Sequence, residues 1–173
     1  MIKYFDEFTE PWLHKQAKEQ LLNPGLDWNF PTFGASEANL DEAIFGRCAF
    51  NLANNIVNWN RVESLTYVLD NWLDSNKDWF KIESLGRCMM NFYARGQQTA
   101  WHTDNQYHIP GLYSLLYYVD DSSGGTEFEN QIVLHKENAG VFFNSDILHR
   151  PIASTHPRRI SVSWVMKGIV TNG

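Results

Sequence analysis

Three things are scarce in this sequence. Although 43% of its 173 residues are hydrophobic, no stretch approaches the ~18 consecutive apolar residues of a membrane-spanning helix. Only two cysteines occur, Cys48 and Cys88; that is no disulfide framework, and their apolar neighbours point to buried, reduced thiols. Basic charge is in deficit: 14 Lys and Arg against 20 Asp and Glu leave a formal net charge of −6, which gives no broad positive field to attract nucleic acid or an anionic membrane. The opening residues, with Asp6, Glu7 and Glu10, lack the basic start and apolar run of a secretory leader. Repeats, low-complexity tracts and a recognisable linker are missing too. These deficits lead us to expect one soluble, cytoplasmic domain over 1–173, with aromatic residues enough (14%) for a single core.

The first half reads as helical. Thr9 is placed as an N-cap with Pro11 in the first turn, Leu13, Ala17 and Leu21 recur at i, i+4 and i+8, and Asn23-Pro24-Gly25 supplies a stop. Residues 26–37 have no clear period, and 38–57 are too rich in Asn to assign. A second helix follows, because Leu65, Val68, Leu69, Trp72 and Leu73 fall at i, i+3, i+4, i+7 and i+8, with Asn60 and Glu63 spaced as a capping box. From Arg87 the pattern changes to short β-type runs at 87–94, 98–103, 112–119, 125–134, 140–144, 148–153 and 159–166. A helical part over 1–85 and a β part over 86–167 imply an α+β, mainly β fold, a sandwich or barrel with helices on one outer face. Leu65, Leu69 and Trp72 then belong in the core, because an exposed stripe of that size would be a sticky patch.

The chemistry concentrates in the β part. In extended chain, residues i and i+2 project from one face, so His102 and Asp104 can converge on one point. A lone His-x-Asp is weak, since chance supplies one in about a third of chains with this many His and Asp. The context strengthens it: His149 follows the β-rich run Val141-Phe142-Phe143, where a neighbouring strand can return it to the pair. Two imidazoles and one carboxylate leave open positions of the kind a non-haem Fe(II) centre needs to chelate an oxo-acid and admit O2, whereas a structural zinc site closes its coordination. Beyond His149, Arg159 opens the run Arg159-Ile160-Ser161-Val162-Ser163-Trp164, and its planar fork suits a carboxylate of a small dicarboxylate. Strand neighbours face opposite ways, so Arg158 and Arg159 cannot both enter a pocket. Arg159 shares its face with Ser161 and Ser163, Arg158 with Ile160, Val162 and Trp164.

In chain order stand Tyr93-x-x-Gly96, His102-x-Asp104, Ser114-Leu115-Leu116-Tyr117-Tyr118-Val119, Gly124-Gly125-Thr126-x-Phe128, His149 and a basic residue ten positions on. This ordered set, within Arg87 to Met166, resembles the 2-oxoglutarate and Fe(II)-dependent dioxygenases, nearest to their prolyl 4-hydroxylase-like branch. The resemblance implies a double-stranded β-helix (jelly-roll) core, with Fe(II) held by His102, Asp104 and His149. It implies O2 and 2-oxoglutarate as co-substrates, with Arg159 on the distal carboxylate and Tyr93, Ser114, Leu116, Tyr118 and Ser161 around the rest. Two positions depart from the family's habit: Ser114 stands where Thr is more frequent, and Arg159 where prolyl 4-hydroxylases commonly carry Lys. Counting six back from Trp164, as in some relatives, lands on Arg158 instead. The implied activity is hydroxylation of a peptidyl side chain or a small molecule, coupled to oxidative decarboxylation of 2-oxoglutarate.

Two other readings stay open. A cupin-like metal protein without redox chemistry could share such a barrel, though cupin-type sites more often have three or four imidazoles and no need of Arg159. A nucleic-acid demethylase of the same superfamily would need a basic groove or a flipped-base platform, which the charge disfavours. His108, His135 and His156 are rivals to His149, and Tyr93, on the strand face opposite Cys88, Met90 and Phe92, belongs either to a pocket or to plain surface.

Overall fold

The computed structural model describes residues 1–23, 45–51, 56–57 and 63–171. Residues 26–37, Asn60 and the Cys48 side chain, on which expectations were placed, lie outside that description. The elements run β1 (Ile2–Phe5), α1 (Pro11–Leu21), β2 (Phe45–Asn51), β3 (Ile56–Val57), α2 (Glu63–Asn76), β4 (Phe80–Ala94), β5 (Leu112–Tyr118), β6 (Gly125–Phe128), β7 (Gln131–Leu134), β8 (Ala139–Asn144), β9 (His149–Ile152) and β10 (Arg158–Val170). They form a seven-stranded sheet, ordered β1-β8-β5-β10-β4-β2-β3, and a three-stranded sheet, β7-β6-β9. Every recorded pairing is antiparallel.

Alternation along the strands sorts the large sheet into two faces. Ile160, Val162, Trp164 and Met166 of β10 lie in one buried cluster with Cys88 and Met90 of β4, Leu115 and Tyr117 of β5 and Phe142 of β8. The helices cover this face. Leu13, Ala17 and Leu21 of α1 and Leu65, Val68, Leu69 and Trp72 of α2 join the same cluster, so the two helical stripes are buried against each other and the sheet together. Aromatic rings bind the layers together: Phe8 stacks on Tyr117 at 4.8 Å and Trp72 on Phe142 at 5.6 Å. The opposite face holds a smaller cluster of Tyr118, Val141 and Phe143 with Phe128 and Val133 of the small sheet. Arg159, Ser161 and Ser163 share that inner face, all buried.

Several expectations need correction. The N-terminal 85 residues are not a helical preface only, since β1, β2 and β3 all join the large sheet; β1 does so by pairing with β8, more than 130 positions away. The run 98–103 is no strand. After Gly96, whose φ is +77°, the chain leaves the sheet and touches the small one through a single bridge, His102 to His149. The run 125–134 is a hairpin, with Phe128 paired to Gln131 across a two-residue turn. Thr9 does not cap α1: Glu10 takes that place without a side-chain bond, and the Thr9 hydroxyl donates to Asn71 of α2 at 2.8 Å. Trp72 is 1% exposed at the centre of the helix-covered face, and Trp72→Ala should cost about 3–5 kcal/mol, read as a lowered midpoint in urea unfolding.

Candidate metal centre

Asp104 hangs on a short irregular segment pinned from both sides. His102 N–H donates to His149 O and His149 N–H to His102 O, both at 2.9 Å. This reciprocal pair sets the two imidazoles side by side, ring centroids 4.4 Å apart. Two residues on, the N–H groups of Asp104 and Asn105 both donate to Ser145 O at 3.1 Å. One ligand atom from each of His102, Asp104 and His149 then falls within 4.8 Å of the others. That convergence joins a loop to a strand some 45 positions later, through the His102–His149 bridge and the two bonds to Ser145 O together.

The ring orientations suit a cation. Nδ1 of His102 lies 3.0 Å from Ala100 O and Nδ1 of His149 2.9 Å from Ile147 O. A carbonyl can only accept, so each Nδ1 carries a proton and Nε2 is the nitrogen left to meet a cation, an outer-shell device common to metal-binding histidines. Burial pushes the His149 pKa below its usual value, which keeps the ring neutral and able to ligate. Burial alone would raise the Asp104 carboxyl, but the Arg87 guanidinium beside it and the Ser114 hydroxyl oppose this, and the group lies below the usual carboxylate range. His102 is exposed while His149 is buried, so the triad opens to solvent on the His102 side.

Deeper along the inner face lies Arg159, 3% exposed. Its Nη1 donates to Gly125 O at 2.9 Å and Ile152 O at 2.6 Å, and its guanidinium carbon sits 4.2 Å from the centre of the Tyr93 ring. Among the described residues its Nε, also buried, meets no hydrogen-bond partner. Gly124 makes room for this group: its φ is +96°, and a Cβ there would meet Ile152 O at 2.6 Å and Arg159 Nη1 at 2.9 Å. Arg158, by contrast, is exposed.

The other expected residues divide. Tyr93 is buried under Arg159, its hydroxyl pushed up by burial against the pull of that arginine. Tyr118 Oη lies 2.8 Å from Thr126 Oγ1, and Ser161 is its cross-strand partner. Leu116 is half-buried against the smaller cluster. Ser114 donates to Asp104 Oδ2 at 2.6 Å and meets Ser145 Oγ at 2.8 Å. Of the rival histidines, His108 and His156 are exposed, and His135 is spent on Asp120, 3.0 Å away, and on the Tyr118 ring. Sequence reasoning missed Arg87, Ser145 and Thr126. Arg87 was within reach of a period-two reading, lying six residues before Tyr93 on the same strand.

No family model matches the chain, and no curated protein matches it. Solved structures do. A viral collagen prolyl hydroxylase from Paramecium bursaria Chlorella virus-1, in a 2-oxoglutarate complex, superposes with a TM-score of 0.62 at 14% identity, covering 96% of each chain. A prolyl hydroxylase from Trichoplax adhaerens, bound to a peptide fragment of hypoxia inducible factor, gives 0.67 at 15% identity over 96% of this chain and 83% of that one. The non-heme alpha ketoglutarate dependent carbocyclase SnoK from nogalamycin biosynthesis gives 0.63 at 12% identity over 99% and 83%. The chain therefore shares the fold of 2-oxoglutarate/Fe(II) oxygenases, several of them prolyl hydroxylases.

Replacing His102, Asp104 or His149 by Ala should weaken Mn(II) binding, followed by calorimetry, by more than the roughly 10- to 100-fold typical of an outer-shell partner. His108→Ala should leave it unchanged. Acid should act on a separate pair: burial would raise Asp120, but His135, Ile160 N–H and Ser122 hold it below its ordinary 3.8. A depressed carboxyl contributes stability above that ordinary value and loses it as pH falls through the folded one. The stability gap between wild type and Asp120→Asn, measured in urea, should thus shrink from pH 7 to pH 3.

Proposed function

We propose that this chain is a 2-oxoglutarate- and Fe(II)-dependent oxygenase, its seven- and three-stranded sheets forming the major and minor sheets of a double-stranded β-helix. One observation carries the reading. A two-His, one-carboxylate group faces the same inner surface as a buried arginine whose Nε has no partner. An unpaired cationic donor inside a protein is costly, and a small dicarboxylate that reaches the metal group with its oxo-acid end would remove that cost.

His102 and His149 would hold the metal through Nε2, and Asp104 through a carboxylate oxygen. Fe(II) bound there would supply the redox chemistry by which O2, 2-oxoglutarate and a C–H bond give succinate, CO2 and a hydroxylated product. The protein's own part is placement and shielding. Arg159 would take the distal carboxylate on its Nε edge, since Nη1 is already committed to two carbonyls. Tyr93 covers the guanidinium face, while Tyr118, Thr126 and Ser161 line the approach with hydroxyls. The Ala100 and Ile147 carbonyls hold the two rings by Nδ1, which leaves Nε2 of each as the nitrogen turned to the metal.

The primary substrate is a peptidyl side chain or a small molecule on this reading, met on the open His102 side. Solved neighbours act on both classes, so the fold makes no choice between them. A redox-inert cupin-like protein has no use for the unpaired Arg159, and the acidic net charge speaks against nucleic acid.

The direct test is anaerobic reconstitution with Fe(II), addition of 2-oxoglutarate and O2, and measurement of succinate across peptide and small-molecule candidates. No succinate and no 2-oxoglutarate binding to the Mn(II)-loaded protein would sink the reading. Arg159→Ala should weaken 2-oxoglutarate binding by roughly 1.5–3 kcal/mol with Mn(II) binding intact, and Arg158→Ala should do neither.

A further inference from the structure

Asp104 is gripped from two strands at once. Val165 of β10 pairs with Arg87 of β4 on one side and with Ser114 of β5 on the other, so all three side chains stand in one row on the inner face. Arg87 Nη2 donates to Asp104 Oδ1 at 2.9 Å, and Ser114 Oγ donates to Oδ2 at 2.6 Å. The carboxylate lies across the row with one donor at each end. Oδ2 is the oxygen that looks toward the His149 ring, 3.8 Å from its Nε2, while Oδ1 is turned away to the arginine.

The arginine's place is built into the strand. The register slips beside Val165, where Arg87 and Leu85 face consecutive residues of β10 and Gly86 is left over. Such a bulge re-aims neighbouring side chains. Here it sets Leu85 against the helix-side core and leaves Arg87 on the inner face. Gly86 suits the tight spot, since a Cβ would come within 3.3 Å of Val165 O.

A carboxylate can bind a metal through one oxygen or both. Two-oxygen binding by Asp104 would consume a position that the co-substrate needs. We propose that Arg87 is a positioning residue: by holding Oδ1, it confines Asp104 to one-oxygen ligation through Oδ2 and so keeps a coordination position free. This rests on the oxygenase reading above, and it adds to that reading a role for a residue outside the ligand set. Ser114 has the complementary task of aiming Oδ2.

The test compares wild type, Arg87→Met, which keeps an unbranched stem without donors, and Arg87→Lys, which restores a single donor. Three readouts are taken: Mn(II) affinity, 2-oxoglutarate affinity of the Mn(II)-loaded protein, and the visible absorption of the Co(II)-loaded protein, which reports coordination. In Arg87→Met, 2-oxoglutarate should bind roughly tenfold more weakly, the scale of an outer-shell partner, with the Co(II) bands shifted and Mn(II) bound at least as well. Arg87→Lys should recover most of the difference. Unchanged 2-oxoglutarate affinity overturns the proposal, as does a loss of Mn(II) affinity that tracks a lowered melting temperature, which would make Arg87 structural only. If Arg87→Met does not fold, Arg87→Gln is measured by the same criteria. Wild type that binds no Mn(II) or no 2-oxoglutarate is a different result, and it counts against the oxygenase reading itself.

Discussion

Strand β10 is buried on both faces, and the rest of the molecule is arranged around that constraint. Its Ile160, Val162, Trp164 and Met166 require apolar cover, which α1, α2 and the Phe8 segment supply. Its other face carries Arg159, Ser161 and Ser163 into an interior, where polar groups need partners. A strand with one apolar and one polar face, both sealed, asks for a helical layer on one side and a lined pocket on the other. The small sheet closes that pocket and brings in His149.

The two ends of the inner face handle charge differently. At the metal end, Asp104 is neutralised locally by Arg87 and by the Ser114 hydroxyl. At the other, Arg159 is anchored by two carbonyls and an aromatic ring and meets no carboxylate among the described residues. A buried cation so placed favours an anion. The contrast gives the inner face a polarity, with His102, Asp104 and His149 grouped at one end and open to solvent through His102, and a buried arginine at the other.

Much of this was legible in the residues. The i, i+3, i+4 stripe of Leu65, Val68, Leu69 and Trp72 marks α2, and the alternation from Arg159 to Trp164 sorts the adjacent arginines by face. His-x-Asp joined to a later His was visible as a possible ligand set. Less legible are the segment 98–103, whose residues tolerate strand or loop, and the bond from Ser114 to a carboxylate ten positions away.

What the sequence determined by itself was local: period, face, and the residue types offered to a site. What only the tertiary structure decided was non-local. That β1 would pair with β8, that a single bridge would carry His102 to His149, and that Arg87 and Ser114 would meet the same carboxylate from either side of Val165 all depend on strand pairing. Pairing is chosen among many registers by the packing of the whole sheet rather than by any segment's preference. The bulge at Gly86 makes the point in one residue: it shifts the register once, and only the paired strand reveals that Leu85, two positions before Arg87, faces the other way.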